Sequence, residues 1–353
     1  MPSLAPPLRV WFFLVGMLAS PALLHAQVPE PYRAAREGDL DTLRLALQSG
    51  FKINQEDARG FILLHYAARG GHAELVQWLL DHGANVHERT RFGATALHFA
   101  AAGGHLETAE ILIRHGADPD VANQEGQTPL IWAATAGQEQ LAHWLTAQGA
   151  TPSKQAELIL AVIRGNGDRV LELLDQGVSV NTVGKDGLTP VFLAAQTSHL
   201  EMVNLLLERG ANLRRRVFQG QSPLHFAATP EIARRLMAGG LKPYESTRMG
   251  LYPLHTAAQR GRTAVVKFFI DQGAPVNLPT ALHMTPLHYA AANGHEDTVR
   301  LLLKLGADTG ARTIRRKPPA DLAREKGHAS VAELLSRWTP LPPSPPQGGS
   351  GPK

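Results

Sequence analysis

The sequence predicts an all-α repeat solenoid of about ten helix–turn–helix units across residues 27–338. Two observations carry this. The first is a period. Alignment on Leu64, Leu97, Leu130, Leu158, Val191, Leu224, Leu254 and Leu287 gives steps of 33, 33, 28, 33, 33, 30 and 33 residues, and one further step of 33 outwards reaches Pro31 and Ala320. The second is an alanine three residues after every one of these ten anchors: Ala34, Ala67, Ala100, Ala133, Ala161, Ala194, Ala227, Ala257, Ala290 and Ala323. Self-similarity of this kind marks stacked units, none of which can bury both of its apolar faces alone.

Each part of the unit has a physical reason. Thr95, Thr128, Thr189, Ser222 and Thr285 stand two residues before their anchors, where a hydroxyl caps a helix N-terminus. Pro129, Pro190, Pro223, Pro253 and Pro286 follow at the first-turn position, where a missing N–H costs nothing. The anchor and a small pair such as Ala67-Ala68, Ala100-Ala101 or Ala290-Ala291 then face the neighbouring units, because only small side chains allow close helix approach. A glycine (Gly71, Gly104, Gly137, Gly261, Gly294) ends this first helix as a left-handed cap. The second helix carries apolar pairs one turn apart, as in Leu75-Val76 and Leu79-Leu80, and stops at a glycine such as Gly83, Gly116 or Gly210.

Thr285-Pro286-Leu287-His288-Tyr289-Ala290-Ala291, Ser222-Pro223-Leu224-His225, Gln127-Thr128-Pro129-Leu130, Gly71-His72 and the Gly-Ala pairs at Gly83, Gly116, Gly210 and Gly306 resemble the ankyrin-repeat signature. The resemblance covers about residues 30–338 and implies a β-turn plus two antiparallel helices per unit, stacked into a curved solenoid. Two units depart from the pattern. The Leu158 unit has no Thr-Pro before its anchor, and the turn preceding it is five residues short. The Leu224 unit lacks three residues around Ala228-Thr229-Pro230-Glu231, which predicts shortened helices there. A distortion of the stack is expected at both. The Pro31 and Ala320 units read as polar end caps.

The ends differ in character. Residues 1–26 carry one charge, Arg9, and no acid, with an apolar run from Val10 to Leu24 and Leu24-His25-Ala26 before Gln27. This pattern predicts a secretory signal peptide cleaved after Ala26, with an uncleaved membrane anchor as the alternative. The run is shorter than the roughly 20 residues of a spanning helix, so a periplasmic or secreted location is expected. Residues 339–353 are rich in proline and glycine and read as a disordered tail. Hydrophobic residues at 44% and charged residues at 19% describe a chain that buries a core. The absence of cysteine excludes disulfides, Cys-ligated zinc and thiol chemistry. A net charge of +4 is too weak to mark a nucleic-acid binder. With no Asn-x-Ser/Thr acceptor either, the chain fits a bacterial periplasmic protein better than a eukaryotic secreted one.

Sixteen histidines invite a metal or acid–base reading, but their positions answer most of it. His65, His98, His225, His255 and His288 follow the anchors, and His72, His105, His199, His295 and His328 open the second helices. The resemblance makes both sets structural, bonding the turns of adjacent units. His25 falls in the apolar N-terminal segment, and His82, His87, His115, His143 and His283 remain; His82 and His115 stand one repeat apart, but two imidazoles are a poor metal site without a third ligand. No nucleophile elbow, phosphate loop, zinc-protease or calcium-loop motif is present. No enzyme activity, cofactor or metal is expected.

In ankyrin stacks the turn tips and first helices line a concave groove where partners dock. At these tips the sequence places large apolar groups beside arginines: Arg59, Arg91 with Phe92, Phe218, Arg248 with Met249, Leu282, and Ile314 with Arg315. Arg214, Arg215 and Arg216 add clustered positive charge. Aromatic residues and arginine dominate interface energetics, so these positions predict binding to another protein; with no catalytic motif the chain reads as a non-enzymatic scaffold, and a monomer is expected. The alternatives are that the apolar tips pack on their neighbours, or that the leftover histidines serve a metal- or small-ligand-binding protein.

Overall fold

A computed structural model describes residues 30–338. The predicted signal peptide at 1–26 and the tail at 339–353 lie outside the described residues. Among the described residues nineteen α-helices and two short 3-10 helices occur with no strand, and no helix is long and apolar enough to cross a membrane. The described residues divide into two compact modules, residues 30–194 with 208–211, and residues 195–207 with 212–338.

The first module contains α1 (Glu30–Glu37), α2 (Leu40–Gln48), α3 (Leu63–Gly70), α4 (Ala73–Asp81), α5 (Ala96–Gly103), α6 (Leu106–Arg114), α7 (Pro129–Thr135), α8 (Glu139–Ala147), α9 (Lys154–Ile163) and α10 (Gly167–Asp175). First helices pack on first helices in the order α1, α3, α5, α7, α9. The small residues of the period sit on these faces: Ala67, Ala68, Ala100, Ala101, Ala133 and Ala134 are fully buried. The second helices bury their paired aliphatics, including Val76 and Leu79 on α4 and Leu112 on α6.

The second module contains α12 (Leu200–Glu208, all but its last residue), a 3-10 turn (Pro223–Phe226), α13 (Pro230–Ala238), α14 (Pro253–Gln259), α15 (Thr263–Asp271), α16 (Pro286–Ala292), α17 (Glu296–Lys304), α18 (Pro319–Glu325) and α19 (Ala329–Arg337). The intervening α11 (Pro190–Gln196) runs through the boundary between the modules. The terminal repeat buries only part of its surface, chiefly Ala323, Val331, Ala332 and Leu335, which suits an end cap.

Eight of the histidines are joints between repeats. Each imidazole after an anchor accepts at Nδ1 from the backbone N–H of its own N-cap, at 3.1 Å for Thr95 to His98 and for Thr285 to His288. That donor fixes the tautomer, so Nε2–H donates to a carbonyl of the next repeat: His98 to Gln127 O at 3.0 Å, His255 to Leu278 O at 2.8 Å. The second set points backwards. His72, His105 and His295 bond the carbonyls of Arg36, Arg69 and Gln259 at 2.8, 3.2 and 2.8 Å.

The cap glycines adopt the expected left-handed conformation, with φ of 73° at both Gly71 and Gly104. At Gly71 there is a second constraint, because a Cβ there would lie 2.4 Å from His105 Nδ1, whereas at Gly83 (φ 89°) it would meet nothing within 4 Å. Gly71→Ala is therefore expected to cost about 2–3 kcal/mol and Gly83→Ala about 1 kcal/mol. Chemical denaturation of the two variants measures the difference. Equal losses would mean that the His105 contact does not matter.

The two irregular repeats are resolved in different ways. The Leu158 repeat keeps a full first helix, capped by Ser153 Oγ, which accepts from Ala156 N at 3.2 Å. Its missing turn lets the turn of the following repeat reach back to α7: Gln127 Nε2 donates to Gly184 O at 2.9 Å and Lys185 N donates to Thr135 Oγ1 at 3.3 Å. In the Leu224 repeat the expectation of shortened helices holds for one helix only. The first helix is reduced to the 3-10 turn, while α13 keeps nine residues. Thr229-Pro230 start that second helix directly, with Thr229 Oγ1 accepting from Ile232 N at 3.3 Å.

Candidate partner-binding surface

Each complete turn tip is held by the residue at its base. Asp57 Oδ1 accepts from Arg59 N and Phe61 N at 2.7 and 2.9 Å, and Asn123 Oδ1 does the same for Glu125 N and Gln127 N. Successive tips are then linked by single backbone hydrogen bonds. In the first module Arg91 N donates to Arg59 O and Gln124 N to Phe92 O, both at 3.0 Å. In the second, Arg248 N donates to Gln219 O, Ala281 N to Met249 O and Ile314 N to Leu282 O, each at 3.1 Å. These linked tips form a row of fixed spacing within each module.

The exposed apolar groups on these rows are Phe92 (63% exposed), Ile314 (55%) and Met249 (39%). Arg91, Arg248 and Arg315 beside them are exposed as well. Arg59 is exposed but engaged: its Nη2 donates to Tyr66 Oη at 2.8 Å and its guanidinium lies 5.1 Å from the Phe61 ring centroid. Tyr66 in turn donates to Asp57 Oδ2 at 2.7 Å, and burial together with that bond pushes its phenol up to about 12.

Two expected tip residues are placed differently. Phe218 is half-buried, its ring stacked on Phe226 at 6.2 Å, and Leu282 is half-buried too. The reason at Phe218 is a tight turn. Val217 and Gln221 exchange backbone bonds at 2.9 and 2.6 Å, which forces positive φ at Phe218 (43°) and Gln219 (67°) and folds the ring inwards. Left-handed backbone at non-glycine residues stores about 1–3 kcal/mol of strain. Gln219→Gly is accordingly expected to raise stability by about 0.5–1 kcal/mol, read as a higher denaturation midpoint with an unchanged slope. No gain would show the turn to be unstrained.

The basic run at 214–216 is partly neutralised. Arg216 pairs with Glu245 at 2.5 Å and also donates to the carbonyls of Leu213 and Arg215, and all three arginines of the run are exposed. Lys317 likewise pairs with Glu325. Of the unassigned histidines, His82 stacks on Trp78 at 4.0 Å, His115 bonds Ile111 O at 2.9 Å, and His143 faces Arg164 at 2.8 Å. Among the described residues no three His, Asp or Glu side chains come together as metal ligands.

Sequence reasoning missed Leu45 and Tyr244, which are exposed away from the tips. It also missed Arg260 and Arg262. The signal for the second was available, since Arg262 follows Gly261 where Gly71, Gly104 and Gly294 are followed by histidine.

A family model described as ankyrin repeats (3 copies) matches residues 32–123, 74–156, 158–246 and 228–313. Among curated relatives, the tyrosine-protein kinase Shark of Drosophila melanogaster is 34% identical over 125 residues, covering 34% of this chain and 13% of that protein. Ankyrin repeat-containing protein P1E11.10 of Schizosaccharomyces pombe is 35% identical over 78 residues, 22% of this chain and 38% of that protein. The chain therefore spans a minority of the length of these relatives. The crystal structure of the human ASB11 ankyrin repeat domain is 28% identical, with a TM-score of 0.39 over 61% of this chain and 100% of that one. Ankyrin repeats are in general non-enzymatic scaffolds for protein–protein interaction. The chain belongs to the ankyrin-repeat family.

Proposed function

We propose that this protein is an exported, non-enzymatic binding protein that holds a partner protein on its turn tips, with a protective, inhibitory or immunity-type role. The observation that carries the reading is Phe92, a phenylalanine 63% exposed on a hydrogen-bonded row of tips and next to the exposed Arg91. Phe92 leaves most of its ring uncovered by the fold, and aromatic and arginine side chains are the usual anchors of interfaces. Met249 with Arg248 and Ile314 with Arg315 repeat the pairing in the second module. The composition of residues 1–26 supports export to the periplasm or the medium.

The test is capture from envelope and secreted fractions with residues 27–353 as bait, beside an Arg91→Ala/Phe92→Ala variant and a Met249→Ala/Ile314→Ala variant. A protein retained by the native chain and lost by either variant supports binding through the tips. Equal retention by all three moves the site elsewhere, and an empty capture by all three removes support for the reading.

A further inference from the structure

The shortened Leu224 repeat leaves two arginines in an unusual position. Arg260 closes α14 and Arg262 opens α15, on either side of Gly261. Both are half-buried and both reach towards the 3-10 turn that replaces the missing helix. Arg260 donates from Nη1 to His225 O at 3.3 Å, with its guanidinium 4.6 Å from the Phe226 ring centroid. Arg262 donates from Nη1 to Phe226 O and from Nη2 to Gln196 O at 3.3 Å.

These bonds cap carbonyls at the ends of short helices, but that job does not require a cation. At the matching position of other repeats His72, His105 and His295 bond the corresponding carbonyl with a single ring nitrogen. Two guanidinium groups offer about ten N–H donors, and only three of them are engaged here. Neither arginine forms an ion pair with a carboxylate among the described residues. Burial, with the neighbouring Arg262, pushes Arg260 down to about 9, and burial pushes Arg262 down to about 10. Both thus remain cationic at neutral pH. Adjacent half-buried guanidinium groups with unspent donors and no carboxylate partner favour an anion that can take those donors.

We propose that Arg260 and Arg262 form an oxyanion-binding notch that receives a carboxylate of a protein partner, an acidic side chain or a chain terminus. The stack on Phe226 holds the Arg260 guanidinium flat, and a planar fork matches a carboxylate in bidentate fashion. The proposal takes the carrier of the carboxylate from the binding function above, but the site itself rests only on these side chains.

The probe is a fluorescein-labelled hexaglutamate peptide followed by anisotropy with the purified chain, with unlabelled hexaglutamate, inorganic phosphate and hexaglutamine as competitors. Saturable binding is expected, displaced by hexaglutamate and not by hexaglutamine. Arg260→Gln or Arg262→Gln should weaken it at least about tenfold, while Arg337→Gln, which removes the same charge from an exposed end, leaves it unchanged. Should the glutamine variants fail to fold, Arg260→Lys keeps the charge without the fork and should still weaken binding about threefold or more. Equal weakening by Arg337→Gln, or no weakening by any notch variant, would overturn the site. Displacement by phosphate at lower concentration than hexaglutamate would overturn the carboxylate assignment. None of these outcomes depends on whether the tips capture a partner, so failure here leaves that reading standing.

Discussion

Acidification from about pH 7 to about pH 4.5 is expected to unfold the repeat array, through neutral histidines buried in its joints. Burial holds the imidazoles of His65, His98, His225 and His255 at about 4, below the ordinary 6.5. The geometry adds a reason, since a proton at Nδ1 would face the N–H that already donates there. In the unfolded chain these rings take up protons near 6.5, while the native state resists until about 4. Their contribution to stability is therefore complete above about pH 6.5 and is lost as pH falls through the window to about 4. At about pH 4.5 each histidine withdraws about 2–3 kcal/mol. Two of these histidines lie in each module, and a paired loss of about 4–6 kcal/mol reaches the lower end of a domain's stability, about 5–15 kcal/mol. Circular dichroism melts between pH 7 and pH 4 measure the fall, which should reverse on neutralisation. His98→Gln, which can still accept from Thr95 N and donate to Gln127 O, should reduce the acid dependence by about one proton. A midpoint that stays level down to pH 4 would contradict this account of the joints.

Enlarging one buried alanine of the repeat should be nearly as damaging. Ala100 is fully buried on α5, which packs between α3 and α7. Ala100→Leu inserts three carbons where two helices approach, and is expected to cost about 3 kcal/mol, the upper end for overpacked cores. Ala102→Leu, two residues along the same helix and partly exposed, should stay within about 0.5 kcal/mol of the native chain. Because a repeat contacts only its neighbours, the loss should also appear as early exchange of amides in α3 and α7. Equal effects at Ala100 and Ala102 would show that the recurring alanine does not mark the packing face.

The repeats were legible because stacking imposes the same local demand at each period. A cap, a proline, a small pair and a left-handed glycine recur, and each is decided within a few residues of chain. The tips were legible as positions but less so as surfaces. Phe92 and Phe218 look alike in sequence, yet one is exposed and the other stacks on Phe226, because the turn at Val217–Gln221 is tightened by a bridge the sequence does not announce. The shortened Leu224 repeat was visible in the spacing. Its compensation was not, since Arg262 bonds Phe226 and Gln196, 36 and 66 residues away. Periodicity reports what repeats share, whereas binding depends on where they differ.

If the tips serve binding as proposed, they contribute affinity for a partner and little to the stability of the fold. The direct measurement is the affinity of the captured partner for the native chain and for the Arg91→Ala/Phe92→Ala variant, with the melting temperature of each taken in the same buffer. Loss of an exposed interface anchor is expected to raise Kd at least about tenfold while the melting temperature moves by less than about 2 °C. An unchanged Kd, or a loss of binding that only follows a loss of stability, would contradict it.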